Sequence, residues 1–179
     1  IADVAAAGKA LDADSLEQPP IRGVVHAAGV LDNRMFLDLD DQSLRNVMRP
    51  KVLGAMTLHR LFPPGSLDFL ALFSSNGQLL GLTGQASYAA SNAFLDALAR
   101  HRSGDTVSLA WTSWRGMGMA VSDVVDQELR DRGIGDISPP EAFAAWELAS
   151  QYSEPNMVIM RTVPLDPGTR VRPILRQLD

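Results

Sequence analysis

Short apolar runs alternate along the chain with longer stretches in which apolar residues recur every three or four positions. That alternation predicts strands separated by helices, an α/β fold. The run Leu67 to Phe73 reads as a strand buried on both faces, as in parallel sheets, Gly23 to Ala28 and Thr106 to Trp111 as further buried strands, and Met157 to Met160 as the last strand. Between the first two, Leu44, Val47, Met48, Ala55, Leu58 and Phe62 form an apolar stripe that predicts a helix over Asp40 to Phe62. Asp40 or Asp41 can cap it, and Pro50 should kink it by depriving the Asn46 carbonyl of its donor. A second helix carries Leu95, Leu98 and Ala99 on its apolar side. A third starts at the capping-box pattern Ser138-Pro139-Pro140-Glu141, with Phe143, Trp146 and Leu148 expected to face inward. Ile1 to Pro20 shows weak helical periodicity. The expected architecture is a doubly wound parallel sheet of about four strands with flanking helices.

Composition narrows the function. The 179 residues, 46% of them hydrophobic, suit one domain with a substantial core. A formal charge of −5 without any basic run argues against nucleic acid or an anionic membrane as partner. The absence of cysteine excludes disulfides and thiolate chemistry, and the three histidines, His26, His59 and His101, have no metal-ligand spacing, so no metal site is expected. No apolar stretch reaches the ~20 residues of a membrane span and no secretory signal pattern opens the chain, which points to a cytoplasmic enzyme part.

The candidate chemistry gathers around Phe73 to Arg102. Ser75 closes a strand, a loop with Gly77, Gly81 and Gly84 follows, and Tyr88 and Asn92 fall four apart, on one face of a helix. A tyrosine with a pKa of about 10 is a poor acid at neutral pH unless a neighbour stabilises its phenolate. Lys51 lies on the core-facing stripe of the preceding helix, and a cation aimed at a tyrosine would explain its place there as well as snorkelling does. Taken singly, Ser75 reads as a strand terminator, Tyr88 as a helix aromatic, Asn92 as a surface amide and His26 as a satisfied core group. The Met- and Gly-containing loop after Trp111 should face the same cleft, beyond the carboxyl ends of the strands, although its methionines suit core filling equally.

The segments His26-Ala27-Ala28-Gly29-Val30, Arg49-Pro50-Lys51-Val52-x-Gly54-Ala55, Phe73-Ser74-Ser75 and Tyr88-Ala89-Ala90-Ser91-Asn92-Ala93-Phe94-Leu95-Asp96 resemble the ketoreductase domains of polyketide synthases and animal-type fatty acid synthases, a branch of the short-chain dehydrogenase/reductases. Ordinary short-chain dehydrogenases carry Tyr-x-x-x-Lys, whereas Tyr88-x-x-x-Asn92 with Lys51 upstream is the ketoreductase arrangement. The resemblance covers about Ile21 to the C-terminus. It implies a Rossmann-like sheet and NADPH-dependent reduction of a 3-ketoacyl thioester on the phosphopantetheine arm of an acyl carrier protein. Tyr88 would be the proton donor, Ser75 a hydrogen-bond donor to the same oxygen, Lys51 the group that lowers the tyrosine pKa and holds the nicotinamide ribose, and Asn92 the anchor of the lysine or a relay water.

By the same resemblance Ala27, Ala28, Gly29 and Ser113 join Lys51 and Tyr88 at the cofactor, while Leu31, Asp32, Asn33, Gln85 and Met117 contact substrate. Leu31-Asp32-Asn33 corresponds to the Leu-Asp-Asp loop of reductases that give the D alcohol, with Asn33 in place of the second Asp; by composition alone it is a polar loop of turn formers. Leu80 stands where the opposite stereochemical class has tryptophan. Ser122 to Arg132 would be a mobile substrate lid, and Val163 to Asp179 resembles the end of the domain before a carrier linker. No G-x-G-x-x-G phosphate fingerprint occurs in the chain. The expectation is therefore a single domain over residues 1–179, the C-terminal catalytic part of a ketoreductase, with its N-terminal nucleotide-binding half as partner alongside other synthase domains. A catalytically silent reductase-like domain would usually have lost the tyrosine, serine or lysine, and a free-standing dehydrogenase would have lysine at position 92.

Overall fold

The computed structural model describes residues 1–12, 17–102, 104–117, 123–165 and 168. Helix α1 (Val4–Ala10) begins on Asp3, whose carboxylate accepts from the Ala6 N–H, and precedes strand β1 (Gly23–His26). A single 3-10 turn at Phe36–Asp38 leads to α2 (Asp41–Met48), a wide π turn (Arg49–Leu53) and α3 (Gly54–Leu61). Then come β2 (Phe69–Ser75), the single turn α4 (Gly77–Leu80), the long helix α5 (Ala86–Arg102) and β3 (Thr106–Trp111). Helix α6 (Asp123–Arg130), β4 (Ile134–Gly135), α7 (Pro139–Ala149), β5 (Asn156–Ile159) and β6 (Arg161–Thr162) complete the described elements.

The main sheet is parallel, in the order β1-β2-β3-β5, with Ser75 opposite Trp111 and Trp111 opposite Ile159 at its carboxyl end. This is the expected α/β, Rossmann-like arrangement. The central strand β2 shows why its sequence has no polar alternate. Leu70 and Leu72 bury themselves under α3 and α5 against Ala55, Leu58, Leu95, Leu98 and Ala99, while Ala71 and Phe73 point to the other face, toward Leu109, Trp111, Ala142 and Trp146. Each fully buried leucine contributes roughly 1.5–3 kcal/mol. At the amino end of the sheet Arg102 is buried and donates to the Phe62 carbonyl, Thr106 Oγ1 and Asp105, with His59 Nδ1 3.1 Å away, which locks the end of α5 to the start of β3.

Three expectations need correction. Helix α7 does carry the capping box, Ser138 with Glu141, but Phe143 and Leu148 are 58% and 56% exposed. The residues turned to the sheet are Ala142, Ala145, Trp146 and Ala149, because the small side chains let the helix approach closely and their spacing of three and four defines the inner line. Met157 to Met160 is not the last strand, since β6 follows it and pairs antiparallel with β4. At Pro50 the helix does not simply kink. Residues Arg49–Leu53 widen into a π turn, in which the Gly54 N–H reaches the Arg49 carbonyl.

Of the expected lid, residue 122 lies outside the described residues and Asp123–Arg130 forms α6, and the tail beyond 168 lies outside the described residues altogether. No helix among the described residues is long and apolar enough to cross a membrane.

Candidate active site

A cleft of about 340 Å³ opens at the carboxyl ends of β1, β2 and β3, where ligands sit in open parallel sheets. Its walls include Lys51, Ser75 and Tyr88, three of the four residues expected to be catalytic, together with Ala27, Leu31, Gln85, Ser113 and Met117. The rest of the lining is mainly apolar: Phe73, Leu82, Trp111, Trp114, Val125 and Leu129 are all part of it.

Each polar group arrives on a different element. Lys51 sits in the π turn, 3% exposed, and its Nζ donates to the Phe73 carbonyl at 2.6 Å. The ammonium lies 5.3 Å from the centre of the Tyr88 ring, within cation–π range. Burial pulls the Lys51 pKa down to about 8, with the Asp96 carboxylate acting in the opposite sense. Burial also pushes the Tyr88 hydroxyl above its ordinary value, and the Asn92 side chain works against that. Ser75 ends β2, and its Oγ accepts from the Gly77 N–H at 3.1 Å.

The π turn is braced from below. His26 Nε2 lies 3.1 Å from the Lys51 carbonyl, and since a carbonyl only accepts, the imidazole donates from Nε2. This is the structural role expected of it. Gly54 makes the contact possible, because a Cβ there would stand 2.8 Å from His26 Cε1. Across the cleft, the Arg34 N–H donates to the Gly84 carbonyl at 2.9 Å, drawing the loop after β1 toward Gln85; Gly84 itself has φ +74°, which favours glycine.

Asn92 is placed differently from the others. It is fully buried beneath Tyr88, donates from Nδ2 to the Tyr88 carbonyl at 2.9 Å, and leaves its Oδ1 without a partner. Lys51 therefore binds a strand carbonyl rather than the asparagine. Ala28, Gly29, Asp32 and Asn33 are not in the cleft wall, and Asp32 is engaged by Arg34 at 3.0 Å. Leu80 is buried against Leu82, Val125, Leu129 and Ile134, under α6. Residues that sequence reasoning did not single out for the site include the Phe73 carbonyl, whose role no side-chain pattern betrays, and Leu82, whereas Val125 and Leu129 fall within the stretch expected to cover the substrate.

The donor set suits the nicotinamide end of a dinucleotide, since a buried cation, a tyrosine and the small side chain of Ala27 line a mostly apolar slot. The sequence contains no G-x-G-x-x-G turn of the kind that cradles the phosphates.

Comparison with known proteins agrees with this geometry. The family profile described as KR domain matches residues 1–116. A 6-methylsalicylic acid synthase of Penicillium expansum is 48% identical over 171 residues, which cover 92% of this chain and 10% of that protein. The mellein synthase of Phaeosphaeria nodorum is 48% identical over 157 residues, covering 86% of this chain and 9% of that protein. Among solved structures, the ketoreductase from the first module of phoslactomycin biosynthesis in Streptomyces sp. HK803 superposes with a TM-score of 0.82 at 39% identity, over 90% of this chain and 38% of that one. An A-type ketoreductase from a modular polyketide synthase gives 0.80 at 34% identity, over 90% and 34% of the two chains. The chain thus spans about a tenth of the length of its curated relatives.

Proposed function

The chain belongs to the KR domain family, the ketoreductases of polyketide synthases, and from that premise we propose that it carries the catalytic part of an NADPH-dependent reduction of a 3-ketoacyl thioester to the 3-hydroxyacyl thioester, with the acyl chain tethered to an acyl carrier protein. The observation that supports this best is the meeting of Lys51 and Tyr88 across 5.3 Å in a cleft that Ser75 also lines.

Bound NADPH would supply hydride to the ketone carbon. The residues of this chain handle the oxygen. As negative charge develops there, Tyr88 gives up its phenolic proton and Ser75 donates a hydrogen bond to the same atom. The Lys51 ammonium beside the ring favours the phenolate left behind, which offsets the upward push of burial on Tyr88. Asn92, whose buried Oδ1 has no partner, is the group assigned on this reading to hold the lysine or a water that returns the proton. The apolar wall excludes bulk water and suits an acyl chain. Leu31 at the cleft, with Leu80 in place of a tryptophan, supports a D-configured product.

Substituting Tyr88→Phe in the full-length protein should lower reduction of an acetoacetyl thioester by about 10²–10⁴, with NADPH binding retained; chiral chromatography of the wild-type product should give mainly the D alcohol. Turnover by Tyr88→Phe near that of the unaltered protein would remove the assignment, and an L product would remove the stereochemical part alone.

The phosphates of the cofactor are, on this reading, held by a nucleotide-binding half outside these residues. β1 has a partner on one side only among the described residues, and Val25 on it is 46% exposed. Titrating residues 1–179 alone with NADPH should therefore show no micromolar binding. Tight binding by a monomeric fragment would place the phosphate site within this chain.

A further inference from the structure

Asp96 is a buried carboxylate that the chemistry above does not use. It lies on α5 two helical turns beyond Tyr88 and one beyond Asn92, on the same face, and is 6% exposed. Its oxygens are both engaged by neutral donors from two other elements. Gln78 Nε2, on the α4 turn that follows Ser75, donates to Oδ2 at 2.7 Å, and the Ser108 hydroxyl of β3 donates to Oδ1. Its backbone carbonyl accepts from Asn156 Nδ2 of β5 at 3.0 Å. The carboxylate thus ties the turn behind Ser75 and strand β3 to the helix of Tyr88 and Asn92, and the backbone carbonyl of the same residue adds β5.

We propose that Asp96 is a positioning residue for the reduction: clamped by Gln78 and Ser108, it fixes the Ser75 turn against the Tyr88 helix. The inference rests on the catalytic reading of Tyr88 and Lys51. The titratable groups in contact with Lys51 are His26 from β1, at its carbonyl, and Tyr88 from α5, whose ring centre lies 5.3 Å from its Nζ. His26 turns its donor to the Lys51 carbonyl, and burial holds its imidazole below the ordinary value, so it brings no positive charge near neutral pH. Tyr88 is held neutral by burial. The Asp96 carboxylate, on the same helix as Tyr88, pulls the Lys51 titration upward, against the effect of burial.

The test separates charge from packing. In the full-length protein, reduction of S-acetoacetyl-N-acetylcysteamine by NADPH is measured against pH for Asp96→Asn, Ser108→Ala and Gln78→Met. Removing the anion lets Lys51 lose its proton earlier, so D96N should move the alkaline limb of kcat down by about one pH unit and lower kcat by about 10- to 100-fold. S108A and Q78M keep the charge and loosen the clamp. They should lower kcat and leave the alkaline limb where it was. Wild-type kcat in a folded D96N overturns the proposal, whatever happens to its melting temperature. If D96N does not fold, wild-type kcat in both S108A and Q78M overturns it instead. Tyr88→Phe serves as the control: full activity there would remove the reduction reading itself, whereas an inactive Tyr88→Phe beside an unaffected D96N removes only the role of Asp96.

Discussion

Lys51 and Arg102 are both buried cations, at opposite ends of the same sheet, and their surroundings differ in kind. Arg102 at the amino end has its guanidinium distributed over Thr106, the Phe62 carbonyl and Asp105, with no side-chain exposure at all. Lys51 at the carboxyl end donates to one strand carbonyl and otherwise faces a tyrosine ring and a cleft. A satisfied buried cation fastens structure, whereas an under-partnered one keeps its proton loosely and can serve chemistry.

The sharpest way to break that contrast is to remove each charge. Lys51→Met should cut reduction by about 10² or more and leave the melting temperature level or higher, since the cost of burying an ammonium goes with it. Arg102→Met should do the reverse, lowering stability by about 3–5 kcal/mol, because Asp105 and the Phe62 carbonyl lose their donor in a buried site. Parallel thermal melts and turnover assays decide. Equal destabilisation by both would make Lys51 a structural cation.

A smaller effect sharpens the same point through pH. The folded Lys51 pKa of about 8 lies below the ordinary 10.5, so the unfolded chain binds more protons between those values. Stability therefore rises with pH from about 8 to 10.5 as far as this group decides it, by on the order of 3 kcal/mol at most. Activity should fall over the same window as the ammonium is lost. Urea melts and rate measurements across pH 7.5–10 should thus diverge. A parallel decline of both would show that the lysine charge is not what turnover needs.

Much of this was legible in the sequence. The buried strands, the capped helices and the gathering of Ser75, Lys51 and Tyr88 follow from period, capping chemistry and spacing, which act locally. What escaped is what depends on backbone partners and close approach. The bond from Lys51 to the Phe73 carbonyl leaves no mark on either side chain, and Asn92, expected to anchor the lysine or a relay water, turns its amide back to the Tyr88 carbonyl. Phe143 and Leu148 look like core on a hydropathy scale, yet the alanines of α7 hold the inner line because a thin helix face brings Trp146 to the sheet. Gln78, Asp96 and Ser108 are ordinary polar residues until the parallel register sets β3 beneath α5.

The widened turn at Arg49–Leu53 has a genetic consequence. Ser43, Val47, Lys51 and Ala55 are buried at a constant step of four residues, and in an unbroken α-helix each such step would rotate the side chain by about 40°. The slack winding at Pro50 takes that drift back, so the lysine stays in line with the residues before and after it. A π turn is in effect an α-helix with one residue too many. Losing a single codon between Arg49 and Leu53 would restore regular winding, leave both flanking helices with good sequences, and swing the lysine out of phase with its tyrosine. Such a lineage would keep the domain and lose the reaction in one event, with the serine, tyrosine and asparagine still in place to suggest otherwise.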